Sequence, residues 1–211
     1  MAGHFTYTFE HRLPSTEREQ RWERYKGQPL FGEVVAEAHE AIAAIEAFQA
    51  LPERNQKLVL DMTVFAMKQA NDMFETWREN FWGLYIVGSR ARGEARPDSD
   101  LDLLSAGTFY RAQGFSDSYD KPGVFEGFEL KSPEVLPSEY NVGKVDRKYL
   151  IRATPTAEDV LPVDLNVIDL TFWRATLDSF KETMDVAEDG SQLPRVPLFE
   201  LTVPKVSAPR W

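Results

Sequence analysis

The run LYIVGSRARGEARPDSDLDLLS, which starts at Leu84, constrains this chain more than any other stretch. Leu84–Val87 is a short apolar segment bounded by Gly83 and Gly88, the pattern of a buried strand. Glycine at 88 lets the backbone turn tightly and approach a ligand closely. Ser89 is expected to cap a following helical turn, whose unpaired N–H groups would face an anion. Arg90, Arg92 and Arg96 add positive charge beside it. Further on, Asp100 and Asp102 alternate with Leu101 and Leu103, so a strand here carries both carboxylates on one face and both leucines on the other. Two ionised carboxylates so close repel unless a cation lies between them, and hard divalent ions prefer oxygen donors. Phosphate cradle and metal ligands thus fall within fifteen residues. A solvated acidic edge strand accounts for Asp-Leu-Asp alone, but poorly for the whole constellation.

Two better-known phosphate and metal motifs do not fit. Gly88 and Gly93 have the glycine spacing of a P-loop, but Glu94 and Ala95 stand where it needs lysine and a hydroxyl. An EF-hand loop starting at Asp98 would need glycine at Leu103 and glutamate at Phe109. With no cysteine, thiolate zinc sites and a cysteine nucleophile are excluded. The three histidines, His4, His11 and His39, all precede the motif by a long way. Chemistry in the middle of the chain therefore falls to carboxylates, hydroxyls, arginines and metal.

Around the motif the pattern is mixed. A short helix is predicted over Glu17–Tyr25. A longer one begins at Glu33, with Val34, Ala38, Ile42, Ile45 and Phe48 on one face. Pro52 suits the first turn of a second helix, which carries Val59, Met62, Ala66, Ala70, Met73 and Trp77 and is expected to end near Asn80. These stripes are core surfaces rather than cofactor contacts. Strands are predicted at Leu101–Leu104, Lys148–Arg152 and Val163–Ile168, and a helix at Phe172–Val186. Residues 105–146 are rich in glycine and aromatics, too long for a bare loop, and read as an insertion. Phe109, Tyr110, Phe115, Tyr119 and Phe125 there offer faces for a base or acceptor, or anchor hairpins to the core. The chain divides into an N-terminal helical region (1–80), a core (81–190) containing the 105–146 insertion, and an extended tail (191–211) with four prolines.

The stretch GSRARGEARPDSDLDLL resembles the signature of the DNA polymerase β-type nucleotidyltransferase superfamily, especially its small, minimal members. The likeness runs unbroken from Leu84 to Leu104, about a tenth of the chain. It implies an α+β fold, a mixed β-sheet of the polymerase β-like kind with the N-terminal helices packed on it. It further implies that Gly88 and Ser89, with Arg90 and Arg92 nearby, hold a triphosphate, and that Asp100 and Asp102 bind two Mg2+ ions, Mn2+ being the substitute. A third acidic residue on a neighbouring strand would complete the site. Asp164, between Val163 and Leu165, is the first candidate for that metal ligand; Asp169, of opposite strand parity, is the second. Asn166 shares the face of Asp164 and is placed to contact substrate or a metal-bound water. The 105–146 insertion departs from the minimal layout.

The implied activity is transfer of a nucleoside monophosphate from an NTP, ATP being favoured on family grounds, to a hydroxyl acceptor, with release of pyrophosphate. The rival reading is a catalytically inactive relative that serves as a nucleotide-binding or protein-interaction module. A formal net charge of −10 disfavours RNA as acceptor against a protein hydroxyl or a small molecule, because tight backbone binding draws on a dense Lys/Arg surface. No apolar run is long enough to cross a membrane, and residues 1–15 lack the features of a signal peptide, so a cytoplasmic protein is expected.

Overall fold

The computed structural model describes residues 5–8, 29–71, 80–107, 125–135, 147–155, 159–169 and 194–203. Seven strands form one mixed sheet: β1 (Phe5–Thr8), β2 (Asn80–Ile86), β3 (Leu101–Gly107), β4 (Phe128–Val135), β5 (Arg147–Ala153), β6 (Val163–Asp169) and β7 (Val196–Val203). Their spatial order is β1-β7-β2-β3-β6-β5-β4. β1 runs parallel to β7 and β3 parallel to β6, while the other neighbours are antiparallel. The helices are α1 (Pro29–Ala43), α2 (Glu46–Gln49), α3 (Glu53–Asn71) and the single turn α4 (Gly88–Ala91). The fold is α+β, as expected. Among the described residues no helix is long and apolar enough to cross a membrane.

Strand alternation sorts the sheet into two faces. Trp82, Leu84, Ile86, Leu101, Leu103 and Leu165 lie on one face and join a single buried core with Ile42, Leu58, Met62 and Met67 of α1 and α3. Phe65 of α3 meets the Trp82 ring edge-on at 5.6 Å, and the Trp82 indole N–H donates to Ser105 Oγ at 2.7 Å. The opposite face carries Asp102, Leu104, Asp164, Asn166 and Tyr85. There the missing side chain of Gly83 leaves a slot for the Tyr85 ring, whose hydroxyl meets Glu200 Oε1 at 3.0 Å. Both residues are buried.

Several expectations are refined by these elements. The helical stripe over Ala38, Ile42, Ile45 and Phe48 is buried, but it spans two helices. The chain breaks at Ile45 (φ −80°, ψ 119°), and the Gln49 side chain donates to the Ala43 carbonyl freed by the break, at 2.8 Å. The described part of the helix after Pro52 runs to Asn71, Met73 and Trp77 lie outside the described residues, and Asn80 already opens β2, so the buried strand is longer than Leu84–Val87. Val196–Val203, within the segment read as a tail, is extended but lies inside the sheet, between β1 and β2. Its apolar Leu198, Phe199 and Leu201 are buried, which outweighs the flanking prolines. The 105–146 segment contributes the end of β3 and the edge strand β4. Phe125 is a core residue, 2% exposed and edge-on to Phe65 at 5.8 Å, so its ring has no face for a ligand. The helices predicted over Glu17–Tyr25 and Phe172–Val186, and Phe109, Tyr110, Phe115 and Tyr119, lie outside the described residues.

One polar side chain fastens the helical layer to the sheet. Asn55 of α3 is fully buried; its Nδ2 donates to Leu161 O at 3.0 Å and its Oδ1 accepts from Leu161 N at 2.9 Å. Just beyond, Leu101 N donates to Pro162 O at 2.9 Å, starting the β3–β6 ladder. Asn55→Leu orphans a backbone donor and an acceptor, each at a cost of about 1–3 kcal/mol. The expected result is a clear loss of urea stability without a change of fold.

His39 of α1 is half-buried. Burial holds its pKa below the ordinary 6.5, against the opposing effects of a hydrogen bond to the Leu60 backbone and the Asp61 charge. Its Nε2 is enclosed without a hydrogen-bond partner. Below pH 6.5 the unfolded chain takes up a proton that the folded one resists, so stability falls as pH falls through that window. His39→Gln is expected to flatten this slope in urea melts at pH 5–7.

Candidate active site

The site forms where β2 ends and β3 and β6 begin. After Ile86 the chain turns at Gly88 with φ +68°, a left-handed conformation that favours glycine. A Cβ at this position would also collide with Asp102, only 2.9 Å from the carboxyl carbon and closer still to Oδ2. Position 88 must therefore be bare for two reasons, and the second ties the turn directly to an acidic side chain. Val87 N donates to Asp102 O at 3.0 Å, locking the turn to β3. The cap of α4 is Val87 rather than Ser89, with no side-chain cap bond. Ser89 sits inside the turn, half-buried, its carbonyl accepting from Glu94 N at 2.9 Å.

On β3, Asp102 is partly buried and Asp100, just before the strand, is exposed. The parallel register sets Asp102 directly against Asp164, Leu103 against Leu165 and Leu104 against Asn166. Neighbouring strands are about 4.8 Å apart, so the two aspartates sit side by side on the face away from the core. Asp169 pairs with Gly107, five residues along β6 and about 16 Å away at ~3.3 Å per residue. Of the two candidates from the sequence, only Asp164 is brought to Asp102. Asn166 shares that face, and its amide reaches back to Leu103 O at 3.5 Å.

The arginines serve the scaffold as much as the site. Arg90 Nη2 donates to Ser99 O at 2.6 Å and Nε to Asp100 O at 3.3 Å, clasping the 96–100 loop to α4. Burial lowers its pKa, while the charges of both Asp100 and Asp102 act to raise it. The charges of both carboxylates thus act on one guanidinium. Arg92 turns to Glu94, Nε to Oε2 at 2.7 Å, in an exposed pair. Arg152 of β5, which the sequence reading passed over, has Nη2 3.4 Å from Asp164 Oδ1. In the sequence it is merely a polar residue on an alternating strand, and only the β5–β6 pairing reveals its neighbour.

Oxygen donors alone, with no cysteine and no described histidine nearby, suit a hard cation. Magnesium commonly takes one or two protein carboxylates and fills its remaining positions with water and substrate phosphate. The Asp102–Asp164 pair fits that requirement. Among the described residues no group of three acidic, histidine or cysteine side chains is gathered at metal-binding range, so Asp100 is not drawn into a finished triad.

A family model described as the nucleotidyltransferase domain matches residues 75–119, a span that holds β2, α4 and β3. The chain carries the nucleotidyltransferase signature. Two solved structures show similarity to it. One, the GLD-2/RNP-8 complex, is 18% identical with a TM-score of 0.30, covering 65% of this chain and 38% of that chain. The other, a non-canonical poly(A) polymerase complex of GLD-2 and GLD-3, is 20% identical with a TM-score of 0.27, covering 66% of this chain and 40% of that one. The chain thus spans about two fifths of the length of these solved chains. No curated protein matches it. Recognition of the nucleotidyltransferase signature rests on the matched stretch.

Gly88→Ala tests how tightly the turn after β2 is built. A left-handed alanine costs about 1–2 kcal/mol from backbone sterics alone, and the new methyl displaces the Asp102 carboxylate. A fall in Tm that corresponds to this cost, measured by differential scanning calorimetry, is the expected result.

Proposed function

We propose that this nucleotidyltransferase-type chain moves a nucleoside monophosphate from an NTP onto a hydroxyl acceptor and releases pyrophosphate. The observation that carries the proposal is the register of β3 and β6, with Asp102 against Asp164 beside the Gly88 turn. In this reading Asp100, Asp102 and Asp164 hold divalent metal, preferably Mg2+, while Gly88 and Ser89 bind the triphosphate through backbone N–H groups and the serine hydroxyl. Arg90 keeps the loop bearing Asp100 in place, and Arg92 would join the phosphates only by leaving Glu94. Bound Mg2+ supplies a lowered pKa for the acceptor hydroxyl and neutralises charge on the departing pyrophosphate. Asp164, farther from the Gly88 turn than Asp102, lies on the acceptor side and orients the attacking oxygen. The acceptor hydroxyl releases its proton to solvent, a bond forms from its oxygen to the α-phosphorus, and the bond from that phosphorus to the bridging oxygen of the departing pyrophosphate breaks. ATP is the favoured donor, and a protein hydroxyl or small molecule the favoured acceptor.

A second reading, a nucleotide-binding module without catalysis, draws on two features: the absence of a described three-carboxylate group and the contact of Asp164 with Arg152. One assay separates the two. With each NTP and Mg2+, mass spectrometry of the protein and of lysate acceptors should register an added nucleoside monophosphate. Asp102→Asn should abolish both that transfer and metal-dependent NTP binding while leaving the fold intact. NTP binding without nucleotidyl addition or pyrophosphate release, under Mg2+ or Mn2+, would establish the module instead.

A further inference from the structure

Arg90 stands in the turn that the motif gives to phosphate, yet its bonds run the other way, to the start of β3. Nη2 donates to Ser99 O at 2.6 Å and Nε to Asp100 O at 3.3 Å. These two nitrogens form one edge of the guanidinium fork, so a single edge grips two successive carbonyls and fixes the plane of the group. Ser99 also closes a small loop of its own. Its N–H donates to Arg96 O at 3.0 Å, and its Oγ accepts from Arg96 N at 2.9 Å.

The grip falls on a peptide held from both ends. The Asp100 carbonyl and the Leu101 N–H belong to one planar unit and point in opposite directions. Arg90 takes the carbonyl, and Pro162 O accepts from the N–H at 2.9 Å. Behind Pro162 stands Leu161, whose backbone Asn55 holds on both its polar groups. The plane of this peptide sets the direction in which the Asp100 side chain leaves the backbone. None of these bonds engages the Asp100 carboxylate, and the residue is exposed. An exposed ligand just outside a strand has conformational freedom to lose when it binds a cation, and a backbone fixed in advance reduces that cost.

We infer that Arg90 is a positioning residue for Asp100 rather than a ligand of the triphosphate. Carried on the Gly88–Ala91 turn, its fork ties the first carboxylate to the phosphate cradle, so that metal ligand and cradle keep a fixed spacing. This role rests on the reading of Asp100 as a ligand of divalent metal. Residues that orient a metal ligand are commonly worth 10–100-fold in metal affinity.

Mn2+ alone, added to the full chain and followed by the electron paramagnetic resonance signal of free Mn2+, separates the possible roles. A triphosphate ligand has no part in binding the bare ion, so its loss leaves Mn2+ affinity unchanged. A plain counter-charge beside Asp100 and Asp102 competes with the ion, so its loss tightens binding. Loss of a positioning residue weakens it, and Arg90→Met is expected to do so about tenfold. Arg90→Lys keeps the charge but cannot span both carbonyls in a fixed plane, so it should resemble Arg90→Met. The lysine variant decides the matter alone if the methionine variant does not fold. Arg90→Met combined with Asp100→Asn should bind Mn2+ no more weakly than Asp100→Asn by itself, because the effect passes through Asp100. Unchanged or tighter binding in Arg90→Met, wild-type binding in Arg90→Lys, or a further loss in the double variant overturns the positioning role and leaves the metal site standing. If the wild-type chain binds no Mn2+, the reading of the site falls and this role with it.

Discussion

Everything proposed for this chain depends on two like charges placed side by side. The β3–β6 register presses Asp102 against Asp164 in a partly buried setting, where carboxylates repel each other more strongly than in open water. The fold holds them there with uncharged devices as well as charged ones. Leu101, Leu103, Val163 and Leu165 bury the reverse side of both strands. Pro162 O accepts from Leu101 N, and Asn55 grips Leu161 just upstream. Hydrophobic burial and backbone hydrogen bonding thus fix an arrangement that electrostatics alone would open, and Arg152 and Arg90 lie within reach of its carboxylates.

The local motif was legible because its chemistry is local. Gly88 was identified from its place after an apolar run, and the structure supplies a second reason for it, the Asp102 carboxylate lying where a methyl would go. Alternation was enough to turn Asp102 away from the leucines, whereas Asp100, expected on the same strand face, lies just before β3 and is exposed. Asp164 and Asp169 could be ranked by their flanking residues and strand parity, but only the parallel register separates them by distance from Asp102. Arg152 and Asn55 left no trace in the sequence pattern. An arginine on an alternating strand and an asparagine in an amphipathic helix are ordinary, and their partners, Asp164 and Leu161, are respectively twelve and 106 positions away.

Ser89 and Arg92 show the limits of motif reading. A serine after glycine suggests a cap, yet Val87 holds the capping position and Ser89 lies within the turn. Arg92 suggests a phosphate ligand, yet Glu94 two residues on takes its guanidinium. Periodicity identified the helical stripe of α1 and α2 correctly as apolar, but could not register the break at Ile45, since both sides of the break bury the same kind of residue.

The position of β7 has a bearing on how the protein is made. β2 leads into the Gly88 turn, and on one side it is covered by β3, which follows it closely. On its other side it is covered only by Val196–Val203, more than a hundred residues later in the chain. During synthesis from the N-terminus β2 therefore waits, with its open edge of backbone donors and acceptors, until that late segment leaves the ribosome. The strand nearest the proposed nucleotide cradle is translated before β3 to β7, yet one of its edges stays uncovered until the last of them appears.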